Sequence, residues 1–280
     1  MKEIKQQSFK GERALFSSQD IIVENCSFSD GESPLKESKN IKVIKSTFKW
    51  KYPLWYSENI ECQNLILEEM ARSGIWYTNH IKMENCAFFC PKTFRRSSNI
   101  ILNNCQMPNA KETLWNCKNI KISNTVVKGD YFGINSENIE MDNVHLDGNY
   151  LFDGSKNIVV RNSVLNSKDS FWNCENVEII NCTIIGEYIG WNSKNVTLIN
   201  CHIESHQGFC YMDNVKLIQC ELTNSDLCFE YCTNIDADII TSVDSIKNPY
   251  SGIIRVKDVK KLIMDDKFID PKLTKVIKNG

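Results

Sequence analysis

Three side chains that can exchange protons recur at the spacing of one repeat in the second half of the sequence. Glu187, His206 and Asp226 are separated by 19 and 20 residues. Two carboxylates with room for a water between them are the arrangement of inverting glycosidases, and histidine transfers protons near neutral pH. Lys168 precedes them at the same spacing. The same pattern is therefore also expected of a solvated surface ladder of alternating charge. Glu187, His206 and Asp226 are therefore a hypothetical catalytic set for a polysaccharide hydrolase or lyase.

A second column carries tryptophan, and the residue before each tryptophan is apolar. Alternation along a strand turns the apolar residue inward and the tryptophan outward, where an aromatic strip can stack on sugar rings or dock a protein. If the segments YFGIN and YIGWN had the opposite phase, Ile134 and Trp191 would be buried instead. The predicted ligand-binding set is Trp55, Trp76, Trp115, Asp153, Trp172, Tyr188, Trp191 and Glu230.

Composition limits the class of protein and its partners. The chain has 280 residues, 42% of them hydrophobic and 24% charged, as expected of a globular protein with a packed core. The net charge of −2 argues against nucleic-acid binding, which requires a strongly positive surface. No stretch approaches 18 apolar residues, so we expect no membrane partner. The remaining partners are an oligosaccharide or protein ligand, with the chain a monomer or small homo-oligomer.

The N-terminal segment lacks the apolar core of a secretory signal, which predicts a cytoplasmic protein. There the 13 cysteines are read as reduced thiols, because the cytosol is reducing and an odd number cannot pair completely. No CxxC motif occurs, and we expect neither a metal site nor a cofactor.

A repeat of 19 to 21 residues runs through the chain and is marked by asparagine followed by isoleucine or valine. Each unit holds two short runs of alternating polarity, as in NVEIINCTI from Asn176 to Ile184. Such a unit is too short for two helices and corresponds to one coil of a parallel β-solenoid. We call the marking positions the register column: Asp20, Asn40, Asn59, His80, Asn99, Asn119, Asn138, Asn157, Asn176, Asn195, Asn214 and Asn234.

Two further columns describe the corners and the interior of each coil. Five residues after the register column stands a second column, mostly asparagine, from Asn25 to Asn200. Asparagine tolerates the left-handed backbone of a sharp bend and can hydrogen-bond to its equivalent one coil away. The next position is often cysteine, which we interpret as small apolar packing just inside the corner. Small hydroxyls two residues before the register column predict another tight turn.

These coils resemble the right-handed parallel β-helix of the pectin-lyase-like superfamily. More narrowly, GERALF, YPLWYSENI, SFWNCENV, GEYIGWNSKNVTLINC, CFEYC, DSIKNPYSG and LIMDD resemble an uncharacterised family of single-domain bacterial β-helix proteins. The superfamily includes polysaccharide lyases and hydrolases, but the GHG motif of its polygalacturonases is absent. Its catalytic residues therefore correspond to no position here, and the narrower resemblance implies no activity.

The predicted fold is all-β: a single-stranded right-handed parallel β-helix of about twelve coils, forming one domain over residues 1–280. We expect an N-terminal cap at 1–18, coils at 19–241, and a C-terminal loop and capping helix at 242–280. Asp270, Pro271 and the spacing of Leu273, Val276 and Ile277 predict that helix. For function, a non-catalytic recognition scaffold, most plausibly for carbohydrate, is preferred over the hydrolase or lyase.

Overall fold

The computed structural model describes all residues from Met1 to Gly280 and consists of strands and turns. It contains no helix with the length and hydropathy that a membrane span requires. The internal contacts group the chain into two compact units, Met1–His145 and Leu146–Gly280, which are described separately. The expectation of a single domain stays a prediction.

The strands are short, and several coils contain two or three of them. The first unit contains β1 (Lys2–Lys5), β2 (Ser8–Lys10), β3 (Gln19–Glu24), β4 (Ser27–Ser29), β5 (Lys39–Ile44), β6 (Thr47–Phe48), β7 (Glu58–Gln63), β8 (Ile66–Leu67), β9 (Ile75–Trp76), β10 (Asn79–Glu84), β11 (Ala87–Phe88), β12 (Phe94–Arg95), β13 (Ser98–Asn103), β14 (Gln106–Met107) and β15 (Lys118–Lys128). The unit boundary falls within β16 (Glu137–Asp147). The second unit continues with β17 (Lys156–Arg161), β18 (Val164–Asn166), β19 (Asp169–Ser170), β20 (Glu175–Ile180), β21 (Thr183–Gly186), β22 (Tyr188–Ile189), β23 (Lys194–Ile199), β24 (His202–His206), β25 (Asp213–Asp226), β26 (Ile235–Lys247), β27 (Gly252–Ile263) and β28 (Thr274–Lys278).

Equivalent strands of successive coils pair in parallel, and like residues stand beside like. In the first unit Ile41 pairs with Ile60, and Ile60 pairs with Ile81. In the second unit Val177 pairs with Val196, which pairs with Val215. These inward positions are at most 3% exposed, so aliphatic stacks fill the interior of each unit. The chain is a right-handed parallel β-helix of about 15 coils.

The predicted asparagine corners are present in both units. Register-column residues have φ between 53° and 59°, and Asn25 to Asn200 in the second column have φ near 50° as well. The Nδ2 of Asn195 donates to Oδ1 of Asn176 at 3.0 Å, and Asn200 donates in the same way to Asn181 at 2.9 Å. Asparagine thus closes each bend and ties it to the next coil.

A third left-handed corner lies three residues before the register column, next to the predicted tight turn. Tyrosine occupies this corner in several coils, with φ of 54° at Tyr56, 57° at Tyr77, 55° at Tyr211 and 56° at Tyr231. The sequence did not predict it, because no single residue type marks the position. These corners place tyrosine rings on the outer surface of the coils.

The cysteines are packing residues, as predicted. All 13 thiols are free and buried. Cys201 lies against the carbonyl oxygen of Ile179 in the preceding coil, at 3.4 Å. Burial raises the pKa of Cys117 to about 12, so that thiol is protonated and unreactive at neutral pH.

The predicted C-terminal capping helix is wrong. Thr274–Lys278 is strand β28, which pairs in parallel with β27 so that Val276 lies beside Ile254. The Asp270 carboxylate accepts from the backbone N–H of Lys272 at 3.0 Å, which forms a turn in place of a helix N-terminus. The adjacent β-branched residues Val276 and Ile277 favour a strand over the helix that their spacing indicated.

The predicted limits of the coils are also too narrow. At the N-terminus, β1 and β2 pair with β3 and β4, so residues 2–10 form a coil and not a separate cap. At the other end, β26 runs through residue 242 to Lys247 and pairs with β27 across a register shift. The asparagine signal is weak in these segments although the strands continue. This accounts for about 15 coils against the twelve predicted.

One substitution in the register column provides a stability test. His80 has φ of 54°, its ring makes no hydrogen bond, and the Oδ1 of Asn59 in the preceding coil accepts none. His80→Asn should extend the ladder and raise the free energy of unfolding by about 1 kcal/mol. Thermal or urea unfolding measures the change. Asn119→His, which breaks an intact position, should lower stability; a decrease for His80→Asn would contradict this account.

Candidate functional site

The tryptophans of the first unit face outward but are held in place by their own hydrogen bonds. Trp55 and Trp76 stack with ring centroids 5.1 Å apart and an interplanar angle of 8°. The Nε1 of Trp76 donates to the carbonyl oxygen of Lys92 at 2.8 Å, and that of Trp115 to Tyr131 at 2.6 Å. The indoles therefore join consecutive coils and present mainly their edges to solvent.

Other side chains cover the remaining ring faces of the first unit. The Arg95 guanidinium lies 4.9 Å from the Trp76 ring centroid and 4.3 Å from that of Trp115. Tyr56 and Tyr77 stack at 4.7 Å with an angle of 3°. Few ring faces on this unit are free to stack on a ligand.

The tryptophan and tyrosine rings on the outer surface of the second unit are tilted against one another. The interplanar angle is 31° between Trp172 and Trp191, 48° between Trp191 and Tyr211, and 34° between Tyr211 and Tyr231. The series ends at Tyr250, tilted by 44° to Tyr231. Tyr211 is 45% exposed and Tyr250 is 38% exposed. We call these five residues the tilted aromatic face, because each ring is inclined to the next and cannot cover it completely.

Two segments, YFGIN and YIGWN, had two possible strand phases in the sequence. In the structure both have the phase that turns the tryptophan column outward. Gly133 and Gly190 are buried, whereas Ile134 and Trp191 are half-buried like the other members of the column. Leu54 and Phe171, which precede Trp55 and Trp172, are at most 1% exposed. YFGIN and YIGWN therefore have the same phase as the other coils.

Glu230 is a buried carboxylate beneath the tilted aromatic face. Its residue is 5% exposed, and Oε1 lies 2.7 Å from Nζ of Lys247. Gln207 donates from Nε2 to its other oxygen. The hydrogen bond to Glu230 raises the pKa of Lys247. Because Glu230 is buried and already has these two partners, it is not placed to hydrogen-bond a ligand as predicted. Asp153 likewise has a partner, the Nδ2 of Asn173 at 2.8 Å.

The predicted catalytic residues lie in one column, but they are already paired. Glu187 lies 3.3 Å from Lys168, and His206 Nδ1 lies 2.6 Å from Asp226. Their side chains are 37% to 56% exposed, as in a surface charge ladder. No group of three or more His, Cys, Asp or Glu side chains is placed to hold a metal ion.

A carboxylate that the sequence did not predict lies next to this column. Asp169 is 3% exposed, and the charged groups that act on its carboxylate are Lys168 and Glu187. Burial raises its pKa; Lys168 opposes that shift and Glu187 adds to it. Asp169 in β19 pairs with Tyr188 in β22. The pKa of Tyr188 is raised by burial and by a hydrogen bond to Glu187. The Oγ of Ser170 is buried without a partner.

The sequence held one signal for Asp169. It is the acidic residue between two tyrosines, Tyr150 and Tyr188, at consecutive positions seven residues before the register column. An ionisable group among aromatic rings is the environment in which a raised carboxyl pKa is expected.

Comparison with known proteins assigns the family. Residues 2–277 match the model of the family described as Protein of unknown function (DUF3737). The chain belongs to this family. The match covers nearly all of the β-helix, including the N- and C-terminal coils that the repeat pattern missed. No curated protein sequence matches the chain.

Solved structures that are similar to this chain include two bacterial proteins. One is the A-module of the Azotobacter vinelandii mannuronan C-5 epimerase AlgE4, with 10% identity over 85% of this chain and 86% of that chain and a TM-score of 0.33. The other is PfbA, a surface adhesin of Streptococcus pneumoniae, with 11% identity over 90% of this chain and 68% of that chain and a TM-score of 0.27.

The buried carboxylate makes a prediction about stability. The pKa of Asp169 is raised in the folded state, so its ionised form destabilises the fold. Protonation of Asp169 therefore stabilises the fold. This contribution is complete below the unfolded-state pKa and is lost as the pH rises through the folded-state pKa. Asp169→Asn should therefore raise the unfolding free energy at pH 7 by about 1 kcal/mol, with a smaller gain at pH 3. Thermal unfolding at both pH values measures it.

The matched control is Asp236→Asn, which removes an exposed carboxylate 2.8 Å from Arg255. That change should leave stability unchanged or slightly lower. A loss of stability in Asp169→Asn at pH 7 would show that the carboxylate has a stabilising partner.

Proposed function

We propose that the protein is a non-catalytic recognition scaffold that binds carbohydrate through the tilted aromatic face of its second unit. The observation that supports this most is the tilt of 31° to 48° along Trp172, Trp191, Tyr211, Tyr231 and Tyr250, together with the exposure of Tyr211 and Tyr250. Sugars present apolar C–H faces and hydroxyl rims, and tyrosine and tryptophan offer an apolar body with a polar tip.

The scaffold suits such binding because the rings need little ordering on association. The backbone of each ring is fixed at a left-handed corner or in a paired coil, and Trp172 donates its indole N–H to the carbonyl oxygen of Tyr188 at 3.2 Å. Tyr231 donates its hydroxyl to Asp266 at 3.0 Å. Preorganised side chains lose less entropy on binding, which favours affinity from a modest contact area. The same exposed rings also fit a protein ligand. The titration with oligosaccharides distinguishes carbohydrate binding from this alternative.

Binding is measured by tryptophan emission and iodide quenching during titration with plant and bacterial oligosaccharides. Tyr211→Ala should weaken binding by about tenfold, or about 1.4 kcal/mol, because it removes an exposed ring from the centre of the face. Tyr56→Ala is the matched control: it stands at the same corner position, is 50% exposed and belongs to the first unit. It should leave binding unchanged.

Equal losses in both variants, or no glycan-dependent change in emission with any oligosaccharide, would contradict carbohydrate binding by this face. Melting temperatures of both variants should stay near that of the unmodified protein. A collapse of Tyr211→Ala would show that the ring is structural.

A second candidate function, glycan hydrolysis, is favoured by one observation: the buried carboxyl of Asp169 next to Glu187. Burial raises the pKa of Asp169, as a general acid requires, and Glu187 is an exposed carboxylate that can act as the base. In this reaction Asp169 protonates the glycosidic oxygen while Glu187 removes a proton from the attacking water. The products are two shorter glycans, one with a new reducing end.

The test is release of reducing ends from the same oligosaccharides. Asp169→Asn and Glu187→Gln should each reduce any activity by at least about a hundredfold, the usual contribution of general acid–base catalysis. Glu178→Gln, an exposed carboxylate paired with Arg161 at 3.5 Å, is the control and should retain full activity. Full activity in Glu187→Gln, or no reducing ends from any glycan, would exclude this mechanism.

A further inference from the structure

The first unit contains an elongated groove that none of the predicted site residues line. Its volume is about 670 Å³, within the range of small-ligand sites. It extends across six consecutive coils from Asn40 to Asn138, five coil steps of about 4.8 Å, or about 24 Å in total. One wall is the register column, and the other is formed by the outward residues two positions later.

The first wall is an asparagine ladder that is interrupted in the middle. Asn59 donates to Asn40 at 2.9 Å, and Asn119 donates to Asn99 at 3.0 Å. Between them stands His80, and Asn99 bypasses it by donating to Asn79 at 2.8 Å. Both ring nitrogens of His80 and the Oδ1 of Asn59 are therefore available to a ligand.

The second wall is interrupted in the same coils. Lys42 pairs with Glu61 at 3.0 Å, and Lys121 pairs with Glu140 at 3.0 Å. Lys82 lies between these pairs without an ion-pair partner. The next coil presents Ile101, which is 44% exposed. The centre of the groove thus combines an unpaired cation, a free imidazole, a free amide oxygen and an exposed aliphatic surface.

We propose that this groove binds a linear acidic oligosaccharide, with a carboxylate or sulfate held by Lys82 and His80. A charge-assisted hydrogen bond from lysine is the strongest polar contact the groove can offer. The Oδ1 of Asn59 accepts from a sugar hydroxyl, and the C–H face of a neighbouring sugar packs on Ile101. A ligand of several sugars fits the length of the groove.

An extended acidic peptide fits the groove less well. Peptides that bind sheets usually pair with a free strand edge. The central groove strands β7, β10 and β13 are each paired on both sides, so they offer a ligand no backbone partners. Hydrogen bonding in the groove is limited to side chains, and sugar hydroxyls match separate amides and amines without a continuous backbone pattern.

The test is calorimetric titration of the full chain with a hexauronate, a sulfated hexasaccharide, a neutral hexasaccharide and hexaglutamate. We expect binding of at least one acidic sugar that salt weakens, and no binding of the peptide. Any neutral sugar held by the aromatic face should bind equally with or without the groove substitutions. Lys82→Ala should weaken that binding about tenfold. The matched control is Lys216→Ala in the second unit, two positions after Asn214 and paired with Asp236 at 3.9 Å, which should bind normally.

A second variant keeps the outcome independent of folding. His80→Asn, expected to be at least as stable as the unmodified protein, should also weaken acidic-sugar binding. Tighter binding of hexaglutamate, or unchanged acidic-sugar affinity in both Lys82→Ala and His80→Asn, would overturn the proposal. Tyr211→Ala should not alter this binding, so failure here is distinguishable from failure of the aromatic face.

Discussion

Neighbouring coils are joined by backbone hydrogen bonds between parallel strands, and these bonds form only if each coil returns to the same register. A coil of about 19 residues can do so only by turning sharply at a few fixed points. Here the turns are single residues with φ near 55°, which costs most residues about 1–2 kcal/mol. Asparagine reduces that cost because its side chain hydrogen-bonds along the ladder. The aliphatic stacks, buried thiols and exposed rings all depend on this register.

The corners also decide which side chains a ligand can meet. Inside a strand, alternation assigns residues to the core or the surface. At a left-handed corner the side chain projects from the bend, and Tyr56, Tyr77, Tyr211 and Tyr231 stand at such positions. Whether a ring then stacks flat or tilts depends on its neighbour one coil away. Tyr56 and Tyr77 stack flat at 3°, whereas Tyr211 and Tyr231, which are also a tyrosine pair, are tilted by 34°. The type of residue at a corner therefore does not by itself determine how its ring is oriented against the next coil.

The repeat allowed the fold, the inward columns and the outward phase of the tryptophans to be predicted, because each is a periodic property read over many coils. The N- and C-terminal coils were missed because asparagine, the periodic signal, thins out while strand pairing continues. Val276 and Ile277 illustrate this. Their spacing indicated a helix, but pairing with β27 makes this segment a strand. Single-coil features escaped for the opposite reason. Asp169 and the tilts of the rings depend on contacts between particular neighbours, which a column average does not contain.

Departures from the repeat therefore carry more functional information than the repeat itself. An asparagine at position 80 would satisfy the ladder, yet histidine stands there at φ 54° with its ring unbonded and Lys82 unpaired beside it. Burying an aromatic or uncharged polar residue at position 169 would cost less free energy than burying the ionisable carboxyl of Asp169, whose pKa burial raises. At each of these two sites the residue is less favourable for stability than its equivalents in the neighbouring coils. Such locally unfavourable residues are expected at functional sites. In a solenoid the neighbouring coils supply an internal reference, so each conflict can be identified within one sequence.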